Sequence, residues 1–103
     1  MRSGRRARLE AAGWKIGSAT EFLGLTPEEE ALVEIKLGLA RELKEVRAEK
    51  GLSQVKAAEI LGSSQSRVAK MESADKTVSL DLLVRSLVAL GSSRRRVARA
   101  IAK

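Results

Sequence analysis

Residues 64–72 read Ser-Gln-Ser-Arg-Val-Ala-Lys-Met-Glu, a stretch short enough to be one small helix. At 100° per residue, Val68 and Met71 fall on one face and Ser66, Ala69 and Lys70 on the other, with Gln65 and Arg67 at the margins. The polar face offers hydroxyls, an amide and cations, a set suited to the major groove of DNA. Glutamine can bond adenine with two hydrogen bonds, lysine can bond guanine, and the alanine methyl can touch that of thymine. The missing residue types narrow the chemistry further. With no Cys and no His among 103 residues, disulfides, ordinary zinc sites, Ser-His-Asp or Cys-His catalysis and a histidine pH switch are all excluded. The remaining carboxylates and lysines show no nucleophile and base at a meaningful spacing. The expectation is a non-enzymatic chain without metal or cofactor.

Charge supports the same direction. The chain carries 20 Lys plus Arg against 13 Asp plus Glu, a net +7, as expected of a nucleic-acid partner. The excess sits at the ends: Arg2, Arg5, Arg6 and Arg8 at one, and Arg94, Arg95, Arg96, Arg99 and Lys103 at the other. Without those nine cations the body is net −2, with residues 10–34 acidic and residues 44–76 mildly basic. The longest apolar run, Leu87 to Leu90, is four residues, far below the roughly 20 that cross a bilayer. The basic N-terminus is followed by no apolar signal region. A cytoplasmic protein that does not enter the membrane is expected.

The elements that would position the polar face are punctuated clearly. Thr26-Pro27-Glu28-Glu29 has the form of a capping box with proline at the first helical position. A helix over 27–50 follows, about 36 Å long, with Leu32, Ile35, Leu39, Leu43 and Val46 as its apolar stripe and Gly51 as its stop. Gly38 interrupts it and predicts a bend. Ser53 can cap a helix to Leu61, ended by Gly62, and Ser63 or Ser64 a helix to about Glu72. After the polar loop 73–78, Ser79 opens a helix with Leu80, Leu83, Leu87 and Leu90 at helical spacing, and Ser92 or Ser93 opens a last one through Ala102. No segment alternates as a strand would. The leucines of residues 80–90 are most simply core, while Leu82, Val84, Val88 and Val97 have equal claim to a dimer face.

Leu52-Ser53-Gln54, Ala58, Leu61-Gly62, Ser64-Gln65-Ser66-Arg67-Val68 and Met71-Glu72 resemble the helix-turn-helix of the Xre, or lambda-repressor-like, family, over roughly residues 40–91. Ser79-Leu80-Asp81-Leu82-Leu83-Val84-Arg85 is similar to the HigA-type antitoxin branch. One departure is Ala57, where many members carry a bulky leucine. The resemblance implies an all-α, lambda-repressor-like domain of about five helices with a long first helix. It also implies a sequence-specific repressor, homodimeric on a pseudo-palindromic double-stranded operator. By this reading Gln65, Ser66 and Lys70 face base edges and Ala69 sits close to a base, while Gln54, Ser64 and Arg67 hold phosphates. Arg47 and Glu72 match family positions that pair across the motif to fix one helix against another. The branch further implies an antitoxin that represses its own operon and neutralises a toxin; the alternative is a stand-alone Xre-type repressor.

Three regions follow: a basic arm and irregular segment at 1–25, the helix-turn-helix domain with its extended first helix at 26–91, and a basic helix at 92–103. Within the first, Trp14, Ile16, Phe22 and Leu23 accompany net acidity. That segment either folds back over Leu32, Ile35 and Leu39 or offers a surface to a basic, ribonuclease-type toxin. Arg5 and Arg6 are expected on phosphates. Each phosphate contact contributes about 0.9 to the slope of log K against log salt. Deleting residues 1–8 should therefore flatten that slope by up to about three or four units and leave site preference intact; an unchanged slope would mean that the arm is free in the complex.

Overall fold

The computed structural model describes residues 26–102, and the positions assigned above within 1–25, Arg5, Arg6, Trp14, Ile16, Phe22 and Leu23, lie outside them. The described chain is all α: α1 Pro27–Glu49, α2 Gln54–Leu61, α3 Gln65–Glu72, α4 Leu80–Ala89 and α5 Arg94–Ala102. Each start is set by a side chain that satisfies a helix N–H left open by geometry. Thr26 Oγ1 accepts from Glu29 N at 3.1 Å while Glu29 Oε1 accepts from Thr26 N at 3.0 Å, a complete capping box. Ser53, Ser64, Ser79 and Ser93 cap the other four through their hydroxyl oxygens. Between α2 and α3 the serine in contact is therefore Ser64. Before α5 it is Ser93, which leaves Ser92 buried.

One apolar cluster ties the five helices together: Leu39, Leu43 and Val46 from α1, Ala57 and Ala58 from α2, Val68 and Met71 from α3, Leu83 and Leu87 from α4, and Val97 and Ala100 from α5. Ala57, the departure from the resembled pattern, is fully buried in this cluster. Leu32 behaves differently from its expected place in the stripe and is 41% exposed. The cluster reaches along α1 only as far as the half-buried Ile35, and Leu32 lies about one turn before it. Val97 does not serve a dimer face, because it is buried in the core; Leu82 and Val84 lean on the same core, and Val88 is the exposed one of the four.

The last helix is an integral wall of this core. It lies along α1 more extensively than along any other element. Gly38 explains how. α1 runs unbroken from Pro27 to Glu49, and the glycine marks a crossing within it. A Cβ at Gly38 would collide with the carbonyl oxygen of Ala100, so the absent side chain lets the α5 backbone come down onto α1. Arg96 then fastens the contact. Its NH1 and NH2 donate to the two oxygens of Glu49 at 2.8 and 3.1 Å. Its Nε stands 2.7 Å from the buried Glu42 Oε2, in ion contact but off the hydrogen-bonding line. Hydrogen bonding to Glu49, with the Glu42 charge behind it, raises the arginine's pKa above its ordinary value. One of the five C-terminal cations is thus internal to the fold.

In an uncrossed helix, Gly→Ala would stabilise by about 1 kcal/mol. At this crossing, Gly38→Ala should instead lower stability by about 1–3 kcal/mol, the usual cost of overpacking. Urea denaturation checks it; a variant as stable as the parent would show that α5 does not rest on α1 there.

Candidate nucleic-acid interface

The candidate surface is built by a tight turn between two short helices. α2 closes on Gly62, whose φ of 64° is left-handed, and Ser63 N donates back to Ala58 O at 2.9 Å. Two residues later the backbone N–H of Arg67 donates to Ser64 Oγ at 3.1 Å and α3 begins. Val68 and Met71 anchor α3 in the core, at 1% and 0% exposure. Gln65, Ser66, Arg67 and Lys70 are exposed in consequence, and Ala69 is half-buried beside them. Among the described residues neither Arg67 nor Lys70 is engaged in an ion pair. Two cations and an amide on one exposed helix face are thereby available to an anionic, hydrogen-bonding polymer.

Behind that face lies a connected set of polar side chains. Arg47, near the end of α1, donates from Nε to Glu72 Oε2 at 2.6 Å and from NH2 to Glu72 Oε1 at 3.1 Å, a two-pronged pair. Its third nitrogen, NH1, donates to the carbonyl oxygen of Leu52 at 2.9 Å and so holds the α1–α2 connection. The side chains are 18% and 5% exposed, with the carboxylate the more enclosed. Hydrogen bonding to Glu72 raises the pKa of Arg47. Gln54, the first residue of α2, donates from Nε2 to Glu72 Oε1 at 3.1 Å, and its own Oε1 accepts from Gln65 Nε2 at 2.6 Å. Helices α1, α2 and α3 are therefore joined by one unbroken chain of hydrogen bonds.

The structure brings Gln65, Ser66, Arg67 and Lys70 together on one face and puts Gln54 beside it. Gln54 is half-buried and already bonded on both ends of its amide, which leaves one N–H for an external acceptor. Ser64 Oγ is occupied as an acceptor by its capping role, and its hydroxyl hydrogen remains to be given. The sequence reading missed Thr77. Together with Ser64, Ser66, Arg67, Lys70 and Leu82 it lines a groove of about 370 Å³ between α3 and the chain leading into α4. Asp75 Oδ1 fixes the threonine, accepting from its N at 2.9 Å and its Oγ1 at 2.7 Å, and these bonds hold the Asp75 carboxyl below its ordinary pKa. The signal available was the Asp-x-Thr spacing of a side-chain-stabilised turn.

A family model described as Helix-turn-helix matches residues 43–97, more than half of the chain. The chain belongs to the Xre-like helix-turn-helix family. This helix-turn-helix protein is accordingly a DNA-binding transcriptional regulator, from a family of regulatory domains that are generally non-enzymatic. The matched span takes in the turn, the exposed face of α3 and the first residues of α5. No curated protein and no solved structure matches the chain. Among the described residues no helix is long and apolar enough to cross a membrane.

Removing one member of a buried pair strands its partner. Glu72→Ala would leave Arg47 and Gln54 without their shared acceptor, and should cost about 2–4 kcal/mol, at or below the range for a fully buried pair because Arg47 is partly solvated. Chemical denaturation measures the loss; a variant within about 0.5 kcal/mol of the parent, the scatter of ordinary surface substitutions, would show that the pair does not organise the motif.

Proposed function

We propose that this helix-turn-helix protein is a sequence-specific repressor that reads base edges with Gln65, Ser66 and Lys70, keeps Ala69 close to a base, and holds phosphates with Gln54, Ser64 and Arg67. The observation that carries the reading is the exposed face of α3, where Arg67 and Lys70 form no ion pair among the described residues and Gln54 stands at the margin. Arg5 and Arg6 add sequence-independent attraction to the phosphates. The functional unit is a homodimer on a pseudo-palindromic operator in the cytoplasm, since two copies of one reading head match two half-sites.

Within that reading, the favoured context is the antitoxin of a type II pair that represses its own operon. The similarity of residues 79–85 to the HigA-type branch supports it, as does the acidity of residues 10–34. An acidic segment bearing Trp14, Ile16, Phe22 and Leu23 suits the positive face of a ribonuclease-type toxin, which must bind RNA. The stand-alone repressor is the second reading, favoured if no toxin reading frame adjoins this one.

One experiment tests both levels. Duplexes selected by the full chain from a randomised pool define its site, and the product of the adjoining reading frame is co-expressed to seek a complex. On the selected site Gln65→Ala and Lys70→Ala should each cost about 1–3 kcal/mol, and much less on random DNA, whereas Arg67→Ala should weaken both. An unchanged ratio of specific to random binding in the first two variants would overturn the readout. A readout that holds with no complex formed would leave the repressor and remove the antitoxin.

A further inference from the structure

The turn that carries the chain from α3 to α4 sets an acid beside the exposed face of α3. Ala74 takes a left-handed φ of 56° and is buried, and Asp75 N donates back to Lys70 O at 2.9 Å. The turn depends on the Asp75 carboxylate, whose Oδ1 accepts from both Thr77 N and Thr77 Oγ1. Its negative charge, however, opposes a surface that meets phosphates. Beyond the Thr77 bonds, two ammonium groups help to keep this carboxyl ionised: Lys70, exposed on α3, and Lys36, buried on α1.

A lysine is rarely enclosed without a partner, and Lys36 is only 6% exposed. It stands seven residues before the span that the family model matches, so the shared motif does not account for it. Its Nζ donates to the carbonyl oxygen of Lys76 at 3.5 Å. That carbonyl and the Thr77 N–H are the two ends of one peptide unit, which Lys36 and Asp75 therefore hold between them. Burial favours the neutral amine of Lys36, and the Asp75 charge opposes this by favouring the ammonium.

We propose that Lys36 is a positioning residue for DNA binding: it serves as the internal counter-charge of Asp75 and thereby leaves Lys70 extended from α3 for DNA. This inference rests on the assignment of Lys70 to a base edge. Lys70 is exposed and forms no ion pair among the described residues, although its own carbonyl is bonded to Asp75 N. Without Lys36 the half-buried carboxylate has Lys70 as the one ammonium left to favour its charge among the described residues. The flexible four-carbon stem of a lysine lets such an ammonium fold back. A Lys70 folded onto Asp75 no longer reaches a base.

The experiment compares the full chain with Lys36→Met, Asp75→Asn and the double variant, at one salt concentration because affinity for DNA depends on it. Methionine keeps an unbranched stem in the buried position, and asparagine keeps an oxygen that can accept from Thr77. In the free proteins, NMR relaxation of the Lys70 side chain should show it mobile in the parent, restrained in Lys36→Met and mobile again in the double variant. On duplexes selected from a randomised pool, Lys70→Ala first identifies the base pair whose preference is lost. At that pair Lys36→Met should lower the preference about fivefold, the weight of one net hydrogen bond. Adding Asp75→Asn should restore it to within about twofold of the parent, the usual scatter of independent sites, and Asp75→Asn alone should match the parent. In a Lys70→Ala background Lys36→Met should change no preference. If Lys36→Met weakens all sequences equally and asparagine restores nothing, the inference is overturned and Lys36 serves the fold alone, with the readout by Lys70 intact. A Lys70 side chain equally mobile in all variants would overturn it whatever the DNA shows. If Lys70→Ala alters preference at no pair, the readout assignment falls and this inference falls with it.

Discussion

The two-pronged contact between Arg47 and Glu72 is the constraint on which the DNA-facing geometry depends. α2 and α3 are each 8 residues long, too short to be stable alone, since isolated helices shorter than about 12 residues are marginal even in favourable sequences. Their placement has to come from outside themselves. Val68, Met71, Ala57 and Ala58 supply the apolar part of it, but apolar contact is not directional. The guanidinium is directional: one plane of donors takes both oxygens of Glu72 and, through NH1, the carbonyl of Leu52. One side chain of α1 thus fixes the end of α3 and the entry to α2 together. Lysine, a single point charge, could not reproduce that arrangement.

A second charged clasp holds the opposite side of α1. Arg96 spans Glu42 and Glu49, and Gly38 lets the neighbouring backbone approach. The two clasps divide the work of the long helix. Its C-terminal end holds the helix-turn-helix through Arg47, while Glu42, Glu49 and Gly38 receive α5. Charge that looks uniform in composition is used in two ways: Arg47 and Arg96 are engaged by carboxylates of the fold, and Arg67 and Lys70 stand exposed on α3.

Much of this was legible in the sequence where the cause is local. Thr26 with Glu29, Ser53, Ser64 and Ser79 mark helix starts because their side chains bond N–H groups three residues on, and Gly51, Gly62 and Gly91 mark stops because each takes a positive φ. What was not legible depends on partners distant in the chain. Gly38 looks like a helix defect until Ala100 is found against it. Arg96 counts as a free tail cation until Glu49, 47 residues earlier, is seen to bond it. Val97 follows the periodicity of either a core or an interface, and only the α1–α5 crossing decides between them. On α3 the polar residue types were visible in the sequence, but the amide chain through Gln54 and the groove position of Thr77 required three dimensions.

The central claim is that the face of α3 and the groove beside it meet DNA while α5 serves the fold. Backbone chemical-shift mapping of the full chain, titrated with a selected operator duplex, tests it most directly. The largest shifts should fall on residues 64–70 and on Thr77, with Arg96, Glu42 and Glu49 retaining their free-state positions. Shifts centred on residues 94–99, with α3 unperturbed, would contradict the account and move the DNA-binding surface to the last helix.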